Sequence, residues 1–282
     1  MLANRFDAFL LDLDGVIHLG GVPIPGAVET MATLRVAGKE IRFLTNDPRS
    51  TREDRAARLR GMGVAAVPAE VVTSAAVTAA YLAANEPRGA TAFVIGTSGL
   101  RTDLEAAGLR ILEGEDGREA DVVVVGEHEG FNYHELRVAT QAVLNGAHLY
   151  GTARDGTFPS SNGPNPASGA LLAAVEAAAE VRGVAVGKPE PHMFEAALVG
   201  MPDRSRVAVI GDNLEADIAG GLAAGIVTIL VLTGNTDRAR LAASLIQPDF
   251  VLEDLSGLLV EQVAKVPRRS RGRRASAESP RR

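Results

Sequence analysis

The stretch Ala8-Phe9-Leu10-Leu11-Asp12-Leu13-Asp14-Gly15 decides how this chain is read. An apolar run long enough for one buried strand stops at two acids spaced i and i+2, and a glycine follows. On an extended strand that spacing puts Asp12 and Asp14 on one face. Two carboxylates so close are tolerable only with a counter-ion or a proton. The arrangement suits a divalent cation held beside a nucleophile, although acids at strand ends also serve simply as solvated loop starts.

Outward from this stretch, strand-like and helix-like segments alternate, the pattern of an α/β fold with a parallel sheet. Pro25-Gly26 opens a helical stretch over 27–37, which Gly38 ends. Residues 41–45 read as a second strand, and a charged helix follows over 51–62, where Gly61 and Gly63 suit a C-terminus. Ser74 is the expected cap of an Ala-rich helix reaching about residue 84. A second alternating set has strands at 91–95 and 121–125, a helix at 100–107, and a helix from an Asn132 cap to Leu144. Residues 151–168 read as a loop rich in Gly, Pro, Ser and Asn, before an Ala-rich helix to about 181. The third block returns to the first style, with strands at 207–210 and 226–232 around a helix at 214–224.

If the first and third blocks build one doubly wound, Rossmann-like parallel sheet, the segment between them is an inserted smaller α/β domain. The expected division is 1–87 and 185–264 for the two parts of the core and 88–184 for the insertion. Ligands of open α/β sheets lie beyond the carboxyl ends of the strands. Polar groups converge at those ends: Asp12 and Asp14, Thr45-Asn46, Lys188 in Gly187-Lys188-Pro189, and Gly211-Asp212-Asn213 with Asp217 further on. Each has a plainer reading. Thr45-Asn46 precedes Asp47-Pro48, a common turn start. Asp212 and Asn213 suit a helix cap, and Asp217 an exposed helix acid or a support for a metal site. Lys188 is one of three lysines against 26 arginines, which hints that a compact ammonium on a flexible stem is wanted there.

Composition bounds the remaining options. The 282 residues are 46% hydrophobic and 23% charged, within the ordinary globular range. Without cysteine there is no disulfide framework, no thiolate nucleophile and no Cys-ligated zinc. No apolar run approaches the ~18 residues that cross a bilayer, and Asp7, Asp12 and Asp14 interrupt the only apolar stretch where a signal peptide would lie. A cytoplasmic protein with no membrane partner is expected. The net charge of −6 conceals a basic tail at 265–282, with seven arginines between Pro267 and Arg282, on a body with 22 basic and 34 acidic residues. The tail lacks an apolar period and is expected to be disordered. An acidic body does not suit nucleic acid.

Several chemistries fail on spacing. Val16 and Ile17 stand where an EF-hand needs an acid or Asn and then Gly. Gly183 to Lys188 is one residue short of a P-loop, and Pro189 replaces its Ser or Thr. No Gly-x-Gly-x-x-Gly follows a strand. The five histidines are scattered, so a zinc hydrolase is not indicated, and His128, His134 and His148 read as surface or packing residues.

The fragments Asp12-Leu13-Asp14-Gly15-Val16-Ile17, Leu44-Thr45-Asn46, Gly187-Lys188-Pro189 and Gly211-Asp212-Asn213-Leu214-Glu215-Ala216-Asp217 stand in the order of four known motifs. Together they resemble the haloacid dehalogenase (HAD) superfamily. The place of the insertion, between the second and third motifs, resembles the large α/β cap of its NagD and p-nitrophenyl-phosphatase branch. Phe43 to Pro48, Val71 to Ala75 and Gly169-Ala170-Leu171 are similar to that branch as well. The resemblance covers about residues 5–260. It departs from many relatives at Asp47-Pro48, where Asn-Ser or similar is usual, and at Asn213, where Arg is frequent.

The resemblance implies a Mg²⁺-dependent phosphatase of small phosphomonoesters, of the nucleotide, sugar or glycerol phosphate, phosphoglycolate or pyridoxal phosphate type. Asp12 would be the nucleophile that forms an aspartyl-phosphate, and Asp14 the general acid and base. Mg²⁺ would be held by Asp12, the Asp14 backbone carbonyl and Asp212, with Asp217 and Asn213 behind them. Thr45, Lys188 and backbone N–H groups around Gly15 and Asn46 would bind the phosphoryl oxygens. In the cap, Arg154, Asp155, Thr157, Phe158 and Asn162 are the candidate substrate contacts, in a loop that reads equally as a plain crossover. Cap-mediated homodimers are frequent in this branch. A HAD phosphotransferase or phosphomutase shares Asp12 and Asp14, and a non-catalytic phosphate-binding module is the third reading, against which the long insertion argues. A dehalogenase would need neither Asp14 nor a metal.

Overall fold

Residues Ala8–Asp12 form the strand expected from the opening run, and the pleat sends alternate side chains to opposite faces of a sheet. Phe9 and Leu11 pack with Ile41, Phe43, Ala208 and Ile210 beneath Met31 and Leu34 of the helix Ala27–Val36. Ala8 and Leu10 pack on the other side with Leu44, Val207 and Val209 against Met193, Phe194 and Ala197 of the helix Pro191–Leu198. A strand buried on both faces is apolar throughout, which is why its two terminal acids stand out. Burying one such Phe or Leu side chain stabilises the fold by about 2–3 kcal/mol.

This computed structural model describes residues 1–160, 163–261 and 266. Six parallel strands lie in the order Phe250–Leu252, Val227–Val231, Val207–Gly211, Ala8–Asp12, Glu40–Thr45 and Val71–Thr73. The chain winds outward from Ala8–Asp12 in one direction, then returns to its other flank at Val207–Gly211 and winds away. The point where the winding reverses therefore lies between these two strands, where the loops at their carboxyl ends diverge and leave a crevice.

A second parallel sheet forms between the two arms of the first, in the order Val184–Ala185, His148–Gly151, Val122–Val125, Thr91–Ile95, Arg110–Leu112. Its own core joins Phe93, Ile95, Val123 and Val125 to Val138, Leu172 and Val175. The opposite face, with Val94, Val122 and Val124, packs on Leu100 and Leu104 and also on Ala75, Ala79 and Leu82. Those last three belong to the helix Ser74–Asn85, whose Val77 packs with the cluster beneath the first sheet. Small residues on one helix face thus let a single element serve both sheets. The strand Val184–Ala185 pairs with Tyr150 and Gly151, so the second sheet extends one residue past the expected boundary at 184.

Several local expectations change in the structure. Thr73, not Ser74, caps the helix Ser74–Asn85, its hydroxyl accepting the Ala76 N–H at 3.1 Å. The expected loop at 151–168 contains an antiparallel hairpin, Thr157–Ser160 with Gly163–Pro166. The expected helix at 214–224 begins as a π-helical turn, Leu214–Ala219, before the short α-helix Gly220–Ala223. A small hairpin, His18–Leu19 with Val22–Pro23, follows Asp14 directly and was too short and too glycine-rich to show a period. The tail at 265–282 lies outside the described residues except for Val266, whose N–H reaches the Asp249 carbonyl at 2.9 Å. Among the described residues no helix is long and apolar enough to cross a membrane.

Candidate active site

Asp12 ends the first strand, Asp212 follows the strand Val207–Gly211, and Asp217 sits in the π-helical turn. Each offers a carboxylate oxygen within 4.8 Å of the others. The wide turn explains the third member. Ile218 N–H bonds back to the Asn213 carbonyl at 3.2 Å, an i to i+5 closure that returns Asp217 above Gly211. There a Cβ on Gly211 would fall 2.2 Å from the Asp217 Cβ, so only glycine fits. Lys188 lies in the same crevice, its ammonium donating to Asp12 Oδ1 at 2.7 Å and Asp217 Oδ1 at 2.6 Å.

The electrostatics follow from two buried acids and the partly buried Asp12 facing one cation. Burial, then repulsion from Asp217 and Asp212, raises the Asp12 carboxyl well above the usual range, although Lys188 opposes the shift. Burial and the charge of Asp217 push Asp212 up to about 7, against the Asn235 N–H that it accepts at 2.5 Å and the charge of Lys188. Burial alone would lower the Lys188 ammonium, but Asp12 and Asp217 overcome it and raise its pKa. Charge left uncompensated in this way is costly unless a further cation joins it. The donors are all hard carboxylate oxygens, the set that suits Mg²⁺.

Asp14 lies apart from this cluster. Its carboxylate is 40% exposed and stands 3.2 Å from Nδ1 of the buried His18. Gly15 has φ +80°, and a Cβ on it would fall 2.4 Å from Asp212 Oδ2. Its N–H is already donated to the His18 carbonyl at 2.8 Å, closing the turn. Of the backbone N–H groups expected around Gly15 to bind phosphate, that of Gly15 itself is thus taken up within the turn. What Gly15 supplies is room for Asp212.

On the other flank of the crevice, Thr45 ends the strand Glu40–Thr45, buried, with its hydroxyl accepting the Asp47 N–H at 3.1 Å. The Asn46 side chain grips the Lys188 backbone twice: Oδ1 accepts the Lys188 N–H at 2.8 Å and Nδ2 donates to the Lys188 carbonyl at 3.0 Å. Ser74 Oγ donates to the Asn46 carbonyl at 2.7 Å. Asn213 is a helix cap, its Oδ1 accepting from Glu215 and Ala216 N–H, while its own N–H supports Asp217 Oδ2 at 3.1 Å.

The inserted segment meets this flank through residues that the motifs do not mark. Arg49 is held by Asp47, lies 3.0 Å from Glu127 of the insertion, and stacks its guanidinium 4.4 Å from the Phe158 ring centroid. Burial would raise the Asp47 carboxyl, but Arg49 and Arg55 hold it well below the usual carboxylate range. Glu127, with weaker compensation, is pushed up to about 7 by burial and by Asp47 and Asp155, against Arg49. Asp155 accepts from Asn46 Nδ2 at 2.6 Å. Arg154 turns away instead, to Glu176 at 3.0 Å and the Gly183 carbonyl at 2.5 Å. Its expected place among substrate contacts gives way to an ion pair inside the insertion. Thr157 is exposed on the hairpin opposite Pro166, and Asn162 lies outside the described residues.

Comparison with known proteins accords with this geometry. A family model described as haloacid dehalogenase-like hydrolase matches residues 9–110, and a HAD-hydrolase-like model matches 185–258. The chain is 36% identical over 259 residues to an acid sugar phosphatase of Staphylococcus saprophyticus, covering 92% of this chain and 98% of that one. Among solved structures, the glycerol phosphate phosphatase of Mycobacterium tuberculosis in complex with magnesium superposes with a TM-score of 0.84 at 32% identity, over 91% of this chain and 77% of that one. The 4-nitrophenylphosphatase of Thermotoga maritima superposes with a TM-score of 0.85 at 32% identity, over 93% and 100%. With two motif-bearing arms folded into one sheet and relatives matched over nearly the whole length, the chain belongs to the haloacid dehalogenase-like hydrolases, in the branch of NagD and the p-nitrophenyl phosphatases.

Proposed function

We propose that this chain hydrolyses small phosphomonoesters of the sugar and polyol phosphate class with Mg²⁺, through a covalent intermediate on Asp12. That it is a phosphoric monoester hydrolase follows from its family. The observation that carries the mechanism is the pairing of Asp12 with Lys188 inside a cluster of three carboxylates at the crevice between the two central strands.

The Asp12 carboxylate attacks phosphorus in line with the departing alkoxide, forming an acyl phosphate as the P–O bond to the leaving group breaks. Asp14, outside the cluster and open to solvent, gives its proton to that alkoxide. It then takes a proton from the water that attacks the phosphorus, which frees inorganic phosphate and restores Asp12. The Lys188 ammonium and the Thr45 hydroxyl neutralise and orient the phosphoryl oxygens, fixed in advance by Asp217 and Asn46, so little reorganisation is needed as charge develops. Asp12, Asp212 and the Asp14 carbonyl would hold Mg²⁺, with the Asp217 carboxylate beside them in the same cluster. Bound there, the ion would supply positive charge toward the phosphoryl group and would offset the excess of carboxylate.

The inserted segment acts as a cap. Asp155, Glu127 and Phe158 close one side of the crevice near Arg49, which keeps water from the intermediate until the alcohol has left. Two of the matched relatives are named for sugar and glycerol phosphates, which supports a neutral polyol as the leaving group. The test is phosphate release from a panel of phosphomonoesters, with and without Mg²⁺, for wild type and Asp12→Asn. Turnover that needs Mg²⁺, favours polyol phosphates and vanishes in the variant is expected. Release that ignores Asp12, or that favours nucleotides, would overturn the mechanism or the substrate class respectively.

A further inference from the structure

Asp155 is the one candidate cap contact whose carboxylate bonds to the residue that holds Lys188. Its backbone is fixed in turn. The Gly169 N–H donates to the Asp155 carbonyl at 2.9 Å, and a Cβ on Gly169 would fall 2.6 Å from that oxygen. The helix Ser168–Ala179 thereby anchors the residue from its first turn. From Asp155 the bonds run to Asn46 Nδ2, from the Asn46 amide to both backbone groups of Lys188, and from Lys188 Nζ to Asp12. The amide can point only one way, because Oδ1 must face the Lys188 N–H while Nδ2 serves two acceptors. The chain entering Lys188 is tethered to the insertion as well: Val186 and Gly187 donate to the Gly151 and Thr152 carbonyls at 3.1 and 2.8 Å. At Gly187 a Cβ would fall 2.4 Å from the Thr152 oxygen and 2.7 Å from Asn46 Oδ1.

We propose that Asp155 is a positioning residue, which reaches from the insertion to orient the Asn46 amide and so sets the Lys188 ammonium against Asp12 only while the insertion is seated. This rests on the reading of Asp12 as nucleophile and Lys188 as its partner. It assigns Asp155 to the alignment of the catalytic lysine and removes it from contact with the leaving group. Closure of the cap and assembly of the phosphate site then become one event, because the same carboxylate serves both.

The test uses the full chain with p-nitrophenyl phosphate and with glycerol 3-phosphate, comparing Asp155→Ala, Asp155→Asn, Asn46→Ala and the double variant Asp155→Ala/Asn46→Ala. Loss of a charge-assisted hydrogen bond predicts a drop of about 10- to 100-fold in kcat for Asp155→Ala on both substrates, with KM within ~3-fold. Asp155→Asn, whose amide oxygen still accepts, recovers most of it. In the Asn46→Ala background the second substitution adds less than ~2-fold, because the relay is already broken. A loss carried by KM and confined to one substrate, or equal losses in both backgrounds, would overturn the proposal. Hydrogen exchange provides a readout independent of turnover. Asp155→Ala should speed exchange across residues 185–190 while strand 8–12 stays protected, and unchanged exchange at 185–190 would refute the relay even if the enzyme shows no phosphatase activity. Should Asp155→Ala not fold, Asp155→Ser carries the same expectations.

Discussion

Replacing Asp212 by asparagine should make the metal-free protein more stable while it disables the metal site. Asp212 is buried, and burial together with the charge of Asp217 moves its pKa from an ordinary 3.8 to about 7. The folded state therefore binds a proton that the unfolded chain releases anywhere between those values, and stability falls as pH rises through that window. About three pH units at ~1.4 kcal/mol each amount to about 4 kcal/mol lost by pH 8. Asparagine removes the charge, retains an oxygen for the Asn235 N–H, and matches the shape left by Gly15 and Gly234. Urea unfolding in EDTA should show Asp212→Asn about 2–4 kcal/mol more stable than wild type at pH 8, with the difference vanishing near pH 4. Mg²⁺ at 100 times its Kd should add about 2.7 kcal/mol to wild type and nothing to the variant. If wild type holds its stability from pH 4 to 8 without metal, or Asp212→Asn is the weaker protein at pH 8, the account of crowded carboxylates is wrong.

Other substitutions separate chemistry from architecture. Asp14→Asn should lower kcat by about 100- to 10,000-fold, the usual worth of a general acid and base, with little change in the melting temperature, because its carboxylate is 40% exposed and outside the cluster. Steady-state kinetics beside thermal unfolding checks both halves. Arg154→Ala should leave kcat/KM within ~3-fold, since its guanidinium is spent on Glu176 and the Gly183 carbonyl. The same change should cost about 1–3 kcal/mol, measured by denaturant unfolding, because Glu176 loses its cationic partner and retains the Gly183 N–H at 2.9 Å.

Local patterning made most of the framework legible. Strand Ala8–Asp12 is apolar on both faces, so acids at its end are conspicuous, and each further motif residue likewise terminates or follows an apolar run. What escaped the sequence is non-local or depends on backbone shape. Asn46 and Asp155 are 109 residues apart, and no pattern within either segment announces the bond between them. Arg49 and Glu127 look like ordinary surface charges until the two sheets meet. Asp217 reads from the sequence as an exposed helix acid or a support for a metal site, and the π-turn brings it level with Asp12 and Asp212. Arg154 shows the reverse case, in which a plausible charge in a plausible loop is claimed by a neighbour inside the insertion. At Gly15 a positive φ makes room for Asp212 while its N–H closes the turn on the His18 carbonyl, a detail of backbone shape that no residue pattern announces.

The central claim is that Asp12 carries the phosphoryl group. Its most direct test is to quench a single turnover of polyol phosphate with acid, reduce with borohydride and map the modified residue by mass spectrometry. Conversion of residue 12 to homoserine, in amounts that track the burst of alcohol and disappear when hydrolysis is complete, is the expected result. A full burst of alcohol and phosphate with Asp12 unmodified at every time point would mean that water attacks phosphorus directly, and would contradict the mechanism.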